Sequence, residues 1–137
     1  NLESKDISVA KRIAGIIRES GTRTAGPGLL KGVKSIGWYI QDFDKVQVSC
    51  NLYNLEENGL LDVFLAVQKE AEKLNTKVTG TELIGLAPLS EFTKVGKYFL
   101  TDDEDEIAAA VRGLGLDEVE NFDPNKRIIE FLIDETL

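Results

Sequence analysis

The stretch Val33-Lys34-Ser35-Ile36-Gly37-Trp38-Tyr39-Ile40, followed after a short polar turn by Val46-Gln47-Val48-Ser49-Cys50-Asn51-Leu52, decides the fold. Ile36, Trp38 and Ile40 alternate with Ser35, Gly37, Tyr39 and Gln41, and Val46, Val48, Cys50 and Leu52 alternate with Gln47, Ser49, Asn51 and Tyr53. A period of two marks strands with one apolar and one polar face, so the segment predicts a β-hairpin. A three-residue turn at Asp42 to Asp44 would set Trp38 opposite Val48, Ile40 opposite Val46, Gly37 opposite Ser49 and Ser35 opposite Asn51. In that register every apolar residue lies on one face and Trp38 belongs to the core.

Upstream, Ser4 to Asp6 resembles a cap, and Ile7, Ala10, Ile13, Ala14 and Ile17 recur at helical spacing before Ser20-Gly21. Thr22 to Gly32, with Gly26-Pro27-Gly28, reads as a loop. Downstream, Leu60, Phe64, Val67, Ala71 and Leu74 stripe a second helix, and Lys77 to Leu86 reads as a strand broken by Gly80 and Gly85. With Asn1-Leu2 as the stub of a first strand, the order is βαββαβ, a ferredoxin-like two-layer α/β (α+β) sandwich over residues 1–87. Two helices cover one sheet face and leave the other, carrying Ser35, Gly37, Tyr39, Gln47, Ser49 and Asn51, for a ligand or partner. Residues 88–137 form a helical extension with stripes at Phe92, Val95 and Phe99 and at Ile107, Val111 and Leu114. A third helix opens at Asp123-Pro124 and carries Ile128, Ile129 and Leu132.

At 137 residues and 42% apolar composition the chain suits one globular domain. No apolar run approaches the ~20 residues of a membrane span, and the absence of Met at position 1 implies a piece of something longer. The lone Cys50 lies in an apolar alternation, which fits a buried thiol in a reducing compartment. A net charge of −8 argues against nucleic acid as partner, yet residues 1–34 hold seven Lys/Arg against three acids, a local surplus suited to a small anion. A solvated helix face accounts for Lys11, Arg12 and Arg18.

With no histidine and one cysteine, His-based triads, Cys-His pairs and the usual zinc sets are excluded. The run Asp102 to Glu106 lacks the glycine and spacing of a calcium loop and sits at a helix start, where it complements the macrodipole. Gly26 to Gly32 lacks the Gly-Lys-Ser/Thr of a phosphate loop and precedes a strand. Within it, Gly28 and Gly32 bracket Lys31, an arrangement that lets backbone N–H groups and an ammonium approach a carboxylate ligand; a flexible connection with a chance lysine fits equally well. Gln47, Ser49 and Asn51 offer donors and acceptors in a row, suited to a pteridine ring or dipeptide-like tail, or simply to solvent. Glu82 is either a paired, partly buried carboxylate or a site residue.

Gly37-Trp38-Tyr39, Gln47-Val48-Ser49-Cys50-Asn51-Leu52, the block from Gly80 to Pro88 and the Phe122 to Glu130 block together resemble the C-terminal subdomain of the formimidoyltransferases, from about Leu2 to Leu132. The resemblance implies one half of a cytoplasmic, commonly dimeric enzyme of histidine catabolism that moves a formimidoyl group from N-formimidoyl-L-glutamate to tetrahydrofolate. It implies a folate groove shared with an N-terminal subdomain that supplies the catalytic histidine. Folate contacts would then fall on Gly28, Lys31, Gly32, Gln47, Ser49 and Asn51, with no catalytic residue and no metal ligand in this chain. A ferredoxin-like binding or assembly module without enzymatic activity is the alternative.

Overall fold

The computed structural model describes residues 1–136, so Leu137, the end of the expected extension, lies outside the described residues. The chain is mixed α/β and divides into two compact units, Asn1–Thr79 and Gly80–Leu137, ahead of the 87/88 boundary expected from the sequence.

The first unit contains α1 (Ile7–Ile17), β1 (Val33–Ile40), β2 (Lys45–Leu52) and α2 (Leu60–Lys73). Helix α1 starts where the Asp6 carboxylate accepts the Ser8 N–H at 2.9 Å, which satisfies one of the orphan donors of its first turn. Its apolar stripe is as expected: Ala10, Ile13, Ala14 and Ile17 are fully buried, while Ile7 at the end of the stripe is exposed. Ala10, Ile13 and Ile17 pack with Leu2, Val33, Val46, Val63, Val67 and Ala71 into one core. Burying each large aliphatic contributes about 1.5–3 kcal/mol, so Leu2, Ile13, Ile17, Val33 and Val46 are its main contributors.

The hairpin departs from the expected register. Its turn takes four residues, Gln41 to Asp44, with Asp44 in the left-handed region at φ 49°, so Ile40 pairs with Lys45, Trp38 with Gln47 and Gly37 with Val48. Val46, Val48, Cys50 and Leu52 still face the helices. Their partners on β1 are now Tyr39, Gly37, Ser35 and Val33. Ser35, Gly37 and Tyr39 therefore leave the open face, and Ile36, Trp38 and Ile40 take their place, which corrects the core assignment of Trp38. The cause is the close approach of α1: a β-carbon at Gly37 would lie 2.3 Å from both the Ala10 carbonyl carbon and the Lys11 nitrogen. Only a glycine fits there, and Trp38 next to it must point the other way.

Residues Asn1 to Ser4 run beside β2, with the Leu2 N–H donating to the Val46 carbonyl and the Val46 N–H to the Ser4 carbonyl, both at 3.0 Å. On their other side the Glu3 N–H donates to Lys77 and the Thr79 N–H to Asn1, at 3.0 and 2.9 Å. The strand expected over Lys77 to Leu86 is confined to that contact. Val78 bridges Leu2, but beyond Thr79 the chain leaves extended pairing and turns through Gly85, at φ 83°.

The second unit contains α3 (Leu89–Phe99), α4 (Glu106–Leu114), α5 (Pro124–Arg127) and α6 (Ile129–Thr136). Phe92 and Val95 on α3 are buried, as are Ala109, Ala110 and Leu114 on α4, so α4 packs on its small residues and leaves Ile107 and Val111 half-buried. Asp105 caps α4 through the Ala108 N–H at 2.8 Å. Asp123 and Pro124 do open a helix, but it ends after one turn. Ile128 turns extended (φ −96°, ψ 122°), is fully buried, and its neighbours exchange backbone hydrogen bonds with Ala87: Ala87 N–H to Arg127 at 3.0 Å and Ile129 N–H to Ala87 at 3.1 Å.

Two consequences are measurable. Gly37→Val should cost about 2–3 kcal/mol in urea unfolding with an unchanged slope, whereas Ile36→Val on the exposed neighbour should stay within about 0.5 kcal/mol. Equal small effects would mean that α1 does not lie on Gly37. In the second unit, hydrogen bonds from Arg112 and then Thr101 lower the Glu104 carboxyl from 4.5 to about 2. A depressed folded value stabilises above the unfolded one and is lost as pH falls, so this contribution is complete above pH 4.5 and fades toward pH 2. The gap in Tm between the parent and Glu104→Gln should accordingly narrow between about pH 6 and pH 2.5, and a constant gap would contradict it.

Candidate functional site

The face of the hairpin turned away from α1 carries Lys34, Ile36, Trp38 and Ile40 from β1 and Lys45, Gln47, Ser49 and Asn51 from β2. Ile36 is 60% and Trp38 48% exposed, so an apolar step with an aromatic ring stands among amides and a hydroxyl. The Trp38 Nε1–H donates to Gln47 Oε1 at 2.6 Å, and Gln47 Nε2 donates to Asn1 Oδ1 at 2.8 Å. One carboxamide thus joins three segments of the chain. Lysines flank the face and it bears no carboxylate, although the chain has 24 acids. Lys34 Nζ lies 5.5 Å from the centre of the Tyr53 ring, a cation–π contact, and Lys45 Nζ donates to Thr79 Oγ1 at 3.4 Å.

Of the residues singled out from sequence, Gln47, Ser49 and Asn51 all lie on this face, spaced along about 13 Å of strand. Lys31 and Gly32 lie beside its Asn51 end, because the Tyr53 N–H donates to the Gly32 carbonyl at 2.9 Å and Asn58 Nδ2 to the Lys31 carbonyl at 2.8 Å. The Lys31 side chain is exposed. Gly28 serves a different purpose: its N–H donates to the Glu19 carbonyl, and Leu29 and Leu30 donate to Ile16 and Ile17, so the loop satisfies the last carbonyls of α1. A β-carbon on Gly28 would lie 1.8 Å from the Arg18 carbonyl oxygen. These donors are spent on the helix and do not form an anion cradle. Trp38, Ile36, Lys34 and Lys45 were not singled out by sequence; Gly37 was the signal, since a glycine within a strand marks a close backbone approach and so tells which face is covered.

Cys50 lies on the helix side, half-buried, with its sulfur 3.3 Å from Ser35 Oγ. Burial pushes the thiol pKa above its ordinary value, which keeps it protonated and unreactive at neutral pH. At the turn the Asp44 carboxylate accepts from Lys5 at 2.6 Å and from the Tyr39 hydroxyl, and these bonds hold its pKa below the usual range. Within the second unit a cavity of about 270 Å³ is lined by residues that include Thr81, Asn121, Lys126 and Arg127, with Glu82 exposed at its wall. No helix among the described residues is long and apolar enough to cross a membrane.

The sequence matches the formiminotransferase domain family over residues 1–134. It is 40% identical over 134 residues to the formimidoyltransferase-cyclodeaminase of Mus musculus and 38% identical over 135 residues to that of Dictyostelium discoideum, in each case over 93% of this chain and 25% of the relative. The glutamate formimidoyltransferase of Streptococcus pyogenes serotype M1 is 35% identical over 130 residues, 95% of this chain and 36% of that protein. The chain thus spans about a quarter of the cyclodeaminase relatives and about a third of the streptococcal one. A match over residues 1–134 establishes that the chain belongs to the formiminotransferase domain family.

Proposed function

We propose that this chain is the tetrahydrofolate-holding C-terminal subdomain of a glutamate formimidoyltransferase. One observation carries the reading: a hairpin face whose positions hold amides, a hydroxyl, an indole and two lysines and no carboxylate, on a chain of net charge −8. Such a face complements a flat heteroaromatic ligand with an anionic tail. The backbone bonds that line up 77–79, 1–4, β2 and β1 side by side support a ferredoxin-like βαββαβ plan over the first unit, with the second unit as its helical extension.

In the reaction, a folate nitrogen attacks the formimidoyl carbon of N-formimidoyl-L-glutamate, and the carbon–nitrogen bond to glutamate breaks. The proton leaving the folate nitrogen passes to a base, and one is returned to the departing glutamate nitrogen. This chain has no histidine, so a histidine of an N-terminal subdomain would be that base while Ser49, Asn51, Gly32 and Lys31 hold the folate. A cytoplasmic homodimer of the two-subdomain unit completes the proposal.

The test is turnover by the chain alone, by the chain mixed with its N-terminal half, and by the whole protein, together with folate titration of each. Activity only when both halves are present, and folate binding that weakens on Lys31→Ala by about two- to a hundred-fold at low salt with an unaltered Tm, are the expected results. Turnover by the isolated chain would overturn the division of labour. A whole protein that associates through this face but never binds folate would make it an assembly module.

A further inference from the structure

We infer that Trp38 is the ring on which the pteridine of folate stacks, and that Gln47 is a positioning residue that holds this indole rather than a ligand contact. The inference rests on the folate reading of the open face and assigns the roles within it. An indole offers a bound molecule one hydrogen-bond donor and two ring faces. Here the donor is already engaged, with Nε1 2.6 Å from Gln47 Oε1, so only the ring remains to be recognised. Trp38 is 48% exposed and stands next to Ile36, 60% exposed, on the same strand face. With Ile40 they form an apolar step along β1, beside the amides and hydroxyl of β2.

Gln47 is suited to fixing that ring. Its oxygen accepts from Trp38 and its nitrogen donates to Asn1 Oδ1, so its carboxamide bridges β1 and the N-terminal segment. With both ends of the amide occupied, Gln47 orients the indole and leaves Ser49 and Asn51 to contact the edges of the ligand. A flat, electron-rich heterocycle is the chemistry such a platform takes, because stacking requires a π face and no particular pattern of donors. Lys34, exposed at one end of this face, selects among flat molecules for an anionic one.

Trp38 is the single tryptophan of these 137 residues, so in the whole protein its signal is the part of the indole fluorescence that Trp38→Phe removes, and every indole readout below is that difference. In the whole protein containing this chain, 5-formyltetrahydrofolate binding is measured by equilibrium dialysis and by indole fluorescence for the parent, Trp38→Phe, Trp38→Leu and Gln47→Leu. The parent should bind with a quench that is missing from Trp38→Phe. Trp38→Leu, which keeps apolar bulk without a π face, should bind about ten-fold more weakly, and Trp38→Phe should fall between. Gln47→Leu should speed the decay of indole anisotropy and weaken binding by about three-fold in the parent, yet add nothing in the Trp38→Leu background. Folate binding of equal strength by the parent and Trp38→Leu would overturn the stacking role while leaving the folate reading intact. Trp38 emission already blue and shielded from acrylamide before folate is added would overturn it too, since a protein surface would then occupy the ring. A folded parent that fails to bind folate at all would remove both the inference and the reading beneath it.

Discussion

The approach of α1 to β1 at Gly37 is the constraint on which the first unit depends. Side chains in a strand alternate strictly, so fixing the direction of one position fixes all of them. With the backbone of Ala10 and Lys11 lying over Gly37, Val33 and Ser35 must face the helix, and Lys34, Ile36, Trp38 and Ile40 must face outward. The same contact seats Ile13 and Ile17 over the sheet, where they meet Val33 and Val46. A larger residue at position 37 would lift the helix and open the core. The identity of the core and the chemistry of the exposed face therefore follow from one missing β-carbon.

The loop after α1 shows how local hydrogen bonding sets what remains for function. A helix leaves its last carbonyls without partners, and here Leu29 and Leu30 supply donors to Ile16 and Ile17 at 3.0 Å, while Gly28 donates to Glu19 just beyond the helix end at 3.1 Å. That saturation fixes the path of residues 28–30 along the helix end and delivers Lys31 and Gly32 to the head of β1. Gly32, at φ 77°, then turns the chain beside Asn54. Lys31 is exposed next to the Asn51 end of the face, with its carbonyl held by Asn58 and that of Gly32 by Tyr53.

Sequence alone made α1, its Asp6 cap, α2, the hairpin and the face of β2 legible, because each has a clean period and a local start signal. The face of β1 was not, for an energetic reason: Ile36, Trp38 and Ile40 are more apolar than Ser35, Gly37 and Tyr39, so a rule that buries the apolar set chooses the wrong side. The burial gained by the alternative is overridden by the sterics of the helix contact, which a hydropathy pattern does not carry. A four-residue turn in place of three shifted the pairing to match. The short pairing at Val78 and the break at Ile128 were also hidden, because both are set by bonds to distant residues, Asn1 and Glu3 in one case and Ala87 in the other. Gln47, Ser49 and Asn51 lie on the strand face that their alternation gave them, while Trp38 was misplaced with the face of β1.

The lysines at the ends of that face act as separate local contacts rather than as one field. Lys34 and Lys45 stand six residues apart in register, about 20 Å along the strands. That is more than twice the screening length of about 8 Å at physiological salt, so neither ammonium adds much to the potential at the other. Steering by a distributed positive patch is consequently weak, and the acidic remainder of the chain opposes it. On the proposed folate reading, recognition comes from short-range contact: an ammonium meeting a carboxylate at one end, amide and hydroxyl edges along the middle, and a ring laid against the indole. A ligand gains from all three only if it carries a flat ring and an anionic tail a fixed distance apart, so the spacing of these groups along the strands, more than the net charge of the protein, sets which anion the face retains.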